Sequence, residues 1–414
     1  MGDRRPRQAW LRHRHASSDA GAELNKTPLY DFHLASGAKL VPFAGYHMPI
    51  SYASLSHAQS HHFTRNNASL FDVSHMVQHL FRGPAAAAFL ETVTPSGFKD
   101  QPAMQGKLTT FLWPGTGGIV DDSIVTRLAE DEFYVVTNGA CLDKDTKYFD
   151  EELGKFGGQV EWSRLDNSGL LALQGPKSAE ILAGLVDVDL ATLYFGSAVL
   201  ANLKVSTGDT VPVLISRGGY TGEDGFELSF NAAMGAAPEM TALAAEALLT
   251  SAGQDRLQLA GLGARDSLRL EAGMCLYGHD LDDTTTPVEA ALSWVIPKER
   301  REQGGFHGAD VILAQLTPKS KGGTGVTRRR VGIVVKGAPA REGADIVKDG
   351  EVIGTVTSGS PSPTLGKNIA MGYVKDGLHK SGTELEVVVR GKARKGTVTK
   401  MPFVPTKYWK QLLP

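Results

Sequence analysis

Apolar and polar positions along this chain fall into two spacings. Phe226-Glu227-Leu228-Ser229-Phe230 alternates strictly, as a half-buried strand does. The alternation sets Glu227 on the opposite face from Phe226 and Leu228. Residues 119–126, 133–136 and 170–173 read as further strands, the last ended by Gly175-Pro176. Helical spacing predicts helices over 85–90, 177–185 and the alanine-rich 240–249. Another short helix is predicted over 265–272, after the turn Gly261-Leu262-Gly263, with Leu268 and Ala272 on its apolar face and Leu270 beside it. The stretch 317–327, TPKSKGGTGVT, has no apolar pattern and reads as a linker. Beyond it, β-rich runs at 331–335, 352–357, 369–374 and 385–389 are separated by Gly and Pro, which predicts a small β-barrel or sandwich.

Composition narrows the class. A chain of 414 residues exceeds one ordinary core, so two or three domains are expected. With 42% hydrophobic and 21% charged residues, and no apolar run near the ~20 residues of a membrane span, it reads as a globular protein. Its two cysteines, Cys141 and Cys275, argue against a disulfide framework or a structural zinc site. The net charge of -2 hides an asymmetry: from Lys298 onward there are 21 basic and 10 acidic residues. Such a basic region predicts an acidic partner or ligand tail, with a solubilising mixed surface as the alternative. Residues 1–24 are rich in arginine and in small and hydroxyl residues. They suggest a mitochondrial presequence, although Asp3 and Pro6 suit an amphipathic helix poorly and a basic tail is the alternative.

The densest chemistry lies in two segments, GGYTGEDGFELSF from Gly218 and GLGARDSLRLEAGMCLYG from Gly261. Closely spaced glycines let backbone approach a ligand, and a strand-borne Glu227 beside them suits a ligand with N–H donors. Read alone, this is equally a hairpin with a solvated acid. Arg265 falls in the first turn of its helix, where the dipole disfavours a cation. It either serves a ligand or an acid partner, or makes a surface ion pair with Asp266 or Glu271. In GGIVDD, Asp121 and Asp122 are consecutive on a strand and point to opposite faces, so only one can look into a given pocket. Six histidines between His47 and His79 have no HExxH spacing and no cysteine among them, and no GxGxxG fingerprint is present.

These segments resemble the T-protein of the glycine cleavage system. The resemblance continues through TPLYDFHLASGAKLVPFAGYHMPISY from Thr27, SLFDVSHM from Ser69, GGIVDDSIVT from Gly117 and LLALQGP from Leu170. It resumes at TTPVEAALSW from Thr285 and RRVGI from Arg329, and ends with GTVTSGSPSPTLGKNIAMGYV from Gly354 and KMPFVPTKYW from Lys400. The resemblance implies an α+β fold of three domains in a cloverleaf around a central folate channel. Two interleaved α+β domains would occupy 25–316 and a β-barrel domain 317–414.

It further implies an aminomethyltransferase. Such an enzyme passes the methylene of an aminomethyl group, carried on a lipoyl sulfur of H-protein, to tetrahydrofolate, and it releases ammonia without a metal. H-protein would be the direct partner, with the P- and L-proteins of the same system, in the mitochondrial matrix. By resemblance Asp122 is the functional acid and Glu227 accepts hydrogen bonds from the pterin. Tyr220 and Arg265 are pocket residues, Met76 an apolar wall, and Val136 and Asn138 a strand end lining the pocket. Tyr194 stacks on the aminobenzoyl ring, Tyr408 lies near the ligand, and Thr110 takes a usually apolar position. Lys298, Arg300, Arg301, Arg328, Arg329 and Arg330 are the junction cations expected to receive an acidic H-protein. Two other classes stay open: a folate-binding relative without transfer, and the folate half of a demethylating oxidoreductase.

Overall fold

The computed structural model describes residues 23–411, so the expected presequence lies almost wholly outside the described residues. Three sheet systems organise the chain. A five-stranded antiparallel sheet runs in the order Gln105–Leu112, Ile119–Ala129, Glu132–Thr137, Val77–Arg82, Glu161–Arg164. A six-stranded sheet has Gly225–Phe230 and Gly169–Gln174 at its centre, between Thr210–Arg217 and Ala68–Asp72. The third system is a closed six-stranded barrel between Arg328 and Thr399. A hairpin of Ala38–Phe43 and Tyr46–Tyr52 stands apart.

The first two units interleave. Ala68–Asp72 pairs with Gly169–Gln174 and, in parallel, with Leu257–Leu259, while all five strands of the other sheet lie between Asp72 and Gly169. Each sheet has its own core. Phe226, Leu228 and Phe230 point into one with Leu171, Leu173 and the alanine-rich helix Met240–Ala252. Phe81, Phe111, Phe133 and Phe149 fill the other, under the helix Leu142–Phe156. The opposite face of the Phe226 strand carries Glu227 and Ser229. There Ser229 meets the hydroxyl of Tyr134, from the five-stranded sheet, at 2.5 Å. The strict alternation at 226–230 therefore separates a packed face from one that looks toward the other sheet.

The predicted elements are present, with shifted ends. The helix expected over 265–272 spans Leu262–Glu271, and the strand expected over 352–357 runs on as Glu351–Ser362. Two barrel strands, Asp345–Lys348 and Lys392–Thr399, were not anticipated; Gly and charged residues break their apolar pattern. The expected linker 317–327 folds back on the preceding helix, Thr324 N–H donating to Ala314 O at 2.9 Å.

Buried ion pairs weld the units together. Glu271, at the end of its helix, takes Arg65 at 2.7 Å and the barrel hydroxyls of Ser362 and Thr364 at 2.5 and 2.7 Å. Arg269 meets Asp280 at 2.7 Å, and Asp280 in turn accepts from Ser358 and Thr357 of the barrel. After Thr399 the chain leaves the barrel and returns to the six-stranded unit. Lys407 N–H donates to Gly222 O at 2.8 Å, and Phe195 N–H to Trp409 O at 2.7 Å.

Candidate active site

The site grows from a glycine turn. A Cβ on Gly118 would lie 1.9 Å from Asp283 O, so only glycine lets the chain enter the Ile119–Ala129 strand here. From that strand Asp121 points into the sheet's packed side and is fully buried, while Asp122 points the other way and is half-buried. Only Asp122 can meet a ligand, as the alternation required.

Asn138, just past Glu132–Thr137, clamps both acids. Its backbone N–H donates to Asp121 Oδ2 at 2.8 Å, and its side-chain amide to Asp121 Oδ1 at 2.7 Å and Asp122 Oδ1 at 3.0 Å. Gly139 makes the clamp possible, since a Cβ there would stand 2.2 Å from His75 O. Burial, then the charge of Asp121, pushes the Asp122 carboxyl up to about 7, against the pull of Asn138. A carboxyl so poised can exchange a proton near neutral pH. Thr110 faces Asp122 across the strand pair, fully buried, its hydroxyl without a partner.

Glu227 makes no hydrogen bond or ion pair among the described residues. Burial raises its pKa and Arg265 opposes the rise. The Arg265 guanidinium lies over the Tyr220 ring, 4.9 Å from its centroid, with one Nη buried and unpaired. The surface ion pair weighed for Arg265 is not formed: Asp266 takes Arg269 at 2.8 Å, and Glu271 takes Arg65. Tyr220 donates its hydroxyl to Cys275 O. Asp122 and Arg265 both act on that phenol, in opposite senses, after burial. Arg265 thus lies between Glu227 and the neutral Tyr220 phenol, on which Arg269 and Asp122 also act. Met76 and Val136 pack beside them against Phe71, Ala264 and Leu268.

At the rim Tyr408 stacks on Phe195, centroids 4.2 Å apart and planes at 20°, its hydroxyl buried and unpaired. Tyr194 is half-buried, and its carbonyl closes a turn by accepting Ser197 N–H at 2.9 Å. The aromatic that stacks on Tyr408 is the adjacent Phe195, which sequence reasoning did not single out. Its side chain is exposed and sits in a turn with no periodicity to mark it. His75 was also missed as a neighbour of Arg265; burial, then Arg265, holds it down at about 4, so it is neutral.

The junction cations are otherwise engaged. Arg300 and Arg330 are buried, Arg330 donating to Ala290 O at 2.8 Å. Arg301 donates to Ile296 O and Ser293 O. Arg328 pairs with Glu289 and Arg329 with Asp376. Of the six, Lys298 alone has only an exposed neighbour, Glu302. The buried Arg300 and Arg330 satisfy carbonyls at the domain junction and are withdrawn from the surface expected of them, whereas Lys298 and Arg301 are exposed and Arg328 and Arg329 partly so.

Two family models match the chain. The GCVT N-terminal domain covers residues 29–300, and the glycine cleavage T-protein C-terminal barrel domain covers 328–405. The chain belongs to the glycine cleavage T-protein family. It is 46% identical over 398 residues to the probable mitochondrial aminomethyltransferase of Schizosaccharomyces pombe, covering 96% of this chain and 97% of that protein. Identity to the mitochondrial aminomethyltransferase of Pisum sativum is 47% over 393 residues, 94% of this chain and 91% of that protein. The crystal structure of the glycine cleavage system aminomethyltransferase T from Bartonella henselae superposes with a TM-score of 0.83 at 37% identity, covering 94% of this chain and all of that one. The fold thus brings Asp122, Arg265 and the pair Tyr220 and Glu227 together from three separate segments.

Proposed function

We propose that this T-protein family member is a mitochondrial aminomethyltransferase that uses tetrahydrofolate. Its donor would be an S-aminomethyl-dihydrolipoyl group on H-protein, in company with the P- and L-proteins. The observation that carries the reading is an unpaired Glu227 facing, across Arg265 and Tyr220, an Asp122 poised near pH 7. A folate fits the polar atoms left over. Glu227 would accept pterin N–H groups, and the unpaired Arg265 Nη and the hydroxyls of Thr110 and Tyr408 are further hydrogen-bonding groups without partners among the described residues. Met76 and Val136 supply an apolar wall for the ring, and the Phe195–Tyr408 stack an aromatic surface at the rim.

The overall exchange turns a protonated thioaminal and two folate N–H groups into methylene-tetrahydrofolate, a thiol and ammonium. The protein's part is to hold the acceptor nitrogen beside the carbon, exclude water, and manage protons. Asp122, fixed by Asn138, accepts a hydrogen bond from the attacking nitrogen and can hold its proton in passing. No metal is required by this scheme. Incubation with aminomethylated H-protein and tetrahydrofolate should form methylene-tetrahydrofolate, and Asp122→Asn should suppress it far more than Asp121→Asn. Folate binding without methylene transfer would instead mark a non-transferring relative.

A further inference from the structure

Behind the reacting face of the Asp122 strand lies a carboxyl pair to which the transfer reaction assigns nothing. Asp121 faces Asp145, in the first turn of the helix Leu142–Phe156, and both are fully buried. Their nearest oxygens lie within 4.8 Å of each other. The two are not equivalent. Each Asp121 oxygen accepts an N–H from Asn138, so Asp121 is built to carry charge. Neither Asp145 oxygen has a hydrogen-bond partner among the described residues; the neighbouring Thr137 hydroxyl is engaged with His79 at 3.0 Å. A buried carboxylate without a donor costs several kcal/mol to keep ionised, and the ordinary escape is to bind a proton. Two such groups this close hold one proton between them, as like charges in a shared site do.

We propose that Asp145 is a permanently protonated acid that donates to Asp121, so that the pair carries a single negative charge. That charge, through Asn138, positions Asp122 and sets how tightly it holds its proton. This rests on Asp122 being the reacting acid. Burial holds Asp145 well above the ordinary carboxyl range and Asp121 above it as well, in keeping with one shared proton. The other groups facing the pair do not neutralise it. Lys144 turns to Tyr277 and Asp283, the latter at 3.0 Å, and Cys141 is a thiol that burial pushes far up. On its other side Asp122 meets Tyr220 and, farther off, Asp280; the cations there, Arg265 and Arg269, are committed to the Tyr220 ring and to Asp266 and Asp280. Asp145 is thus a positioning residue acting through Asp121 and Asn138.

Two measurements test this. In the infrared at about pH 8.5, the free full-length protein should show the C=O band of a protonated carboxyl, kept in Asp122→Asn and lost in Asp145→Asn. This readout needs no activity, and in the wild type it needs no variant to fold. The second is the pH dependence of kcat for methylene-tetrahydrofolate formation. Asp145→Leu takes away the O–H that draws on the Asp121 charge, while the two Asn138 N–H groups keep Asp121 ionised, so its repulsion of Asp122 grows. The acid limb should then move to higher pH, by up to about one unit, a tenfold change in proton affinity. Asp145→Asn keeps an N–H donor to Asp121 and should return the limb to its wild-type position. Absence of the infrared band in the wild type, or a limb that Asp145→Leu does not move, overturns the proposal. A wild-type rate without any limb near neutrality, with the band present, would overturn the role of Asp122 instead.

Discussion

Asp122→Asn should make the folate-free protein more stable while nearly abolishing its turnover. Burial and the neighbouring Asp121 push the Asp122 carboxyl from 3.8 to about 7. A raised folded-state pKa means that the fold holds this proton more tightly than the unfolded chain does. Below about pH 4 both states are protonated and the group costs nothing. Between about pH 4 and 7 the unfolded chain releases its proton first, so stability falls as pH rises, and above 7 the full cost persists. At about 1.4 kcal/mol per pKa unit the ceiling is roughly 4 kcal/mol. Asp122 is half-buried beside a channel, so solvent screening reduces this to about 2 kcal/mol. Asparagine keeps the shape without the charge. Urea unfolding of wild type and variant, followed by tryptophan fluorescence without folate, should give stabilities within about 1 kcal/mol of each other near pH 4.5, where the unfolded carboxyl has begun to ionise. Near pH 8 the variant should lead by about 2 kcal/mol. The same variant should lose about 10²–10⁴-fold in kcat, the range for a positioned acid–base group. An Asp122→Asn protein whose stability relative to wild type is no greater at pH 8 than at pH 4.5 would refute the reasoning.

Other tests follow from the same geometry. Glu227→Gln removes a charge-assisted acceptor worth about 1.5–3 kcal/mol, so calorimetry should show tetrahydrofolate affinity lowered about 10- to 100-fold. Glu271→Gln breaks a buried junction pair and should cost about 3–5 kcal/mol at neutral pH. Although burial works against it, hydrogen bonds from His61, Ser362 and Thr364 hold Glu271 at about 2, so its contribution is present above about pH 4.5. The deficit of the Gln variant in chemical denaturation should therefore shrink as pH falls from 4.5 toward 2. Gly139→Ala drives a methyl against His75 O and displaces the Asn138 clamp, so kcat should fall more than KM changes, with a lowered Tm.

The strands and helices that were legible carry a single clear period. Phe226 to Phe230 shows it and sets Glu227 on the face opposite the core; Asp121 and Asp122, adjacent on a strand, must point to opposite faces. The orientation of Asp121 and Asp122 was therefore readable from alternation alone. Which of them faced the ligand was not, because the answer depends on the helix that covers one face of the sheet. Arg265 is instructive in the same way. Its unfavourable place in a first turn hinted at a role, and only the fold shows that Asp266 and Glu271 are committed to Arg269 and Arg65. Phe195 and Asp145 left no signal. One sits in an aperiodic turn, and the other is an acid on a helix whose polar residues mostly meet solvent. The charge count from Lys298 onward was sound as arithmetic, but it could not separate surface cations from guanidiniums that cap carbonyls inside a junction.

The returning segment after the barrel bears on the order in which the protein is made. Trp409 donates its indole N–H to Ala191 O across 218 residues, and Tyr408 closes on Phe195 beside it. Contacts so distant in sequence carry a large closure entropy and form late. During synthesis the two sheets can assemble while the barrel and the returning segment are still missing. Such a nascent chain would present Glu227 and Asp122 in an open cleft with no aromatic rim. The Phe195–Tyr408 pair is thus completed in one late step, after the barrel has closed and its trailing segment has crossed back.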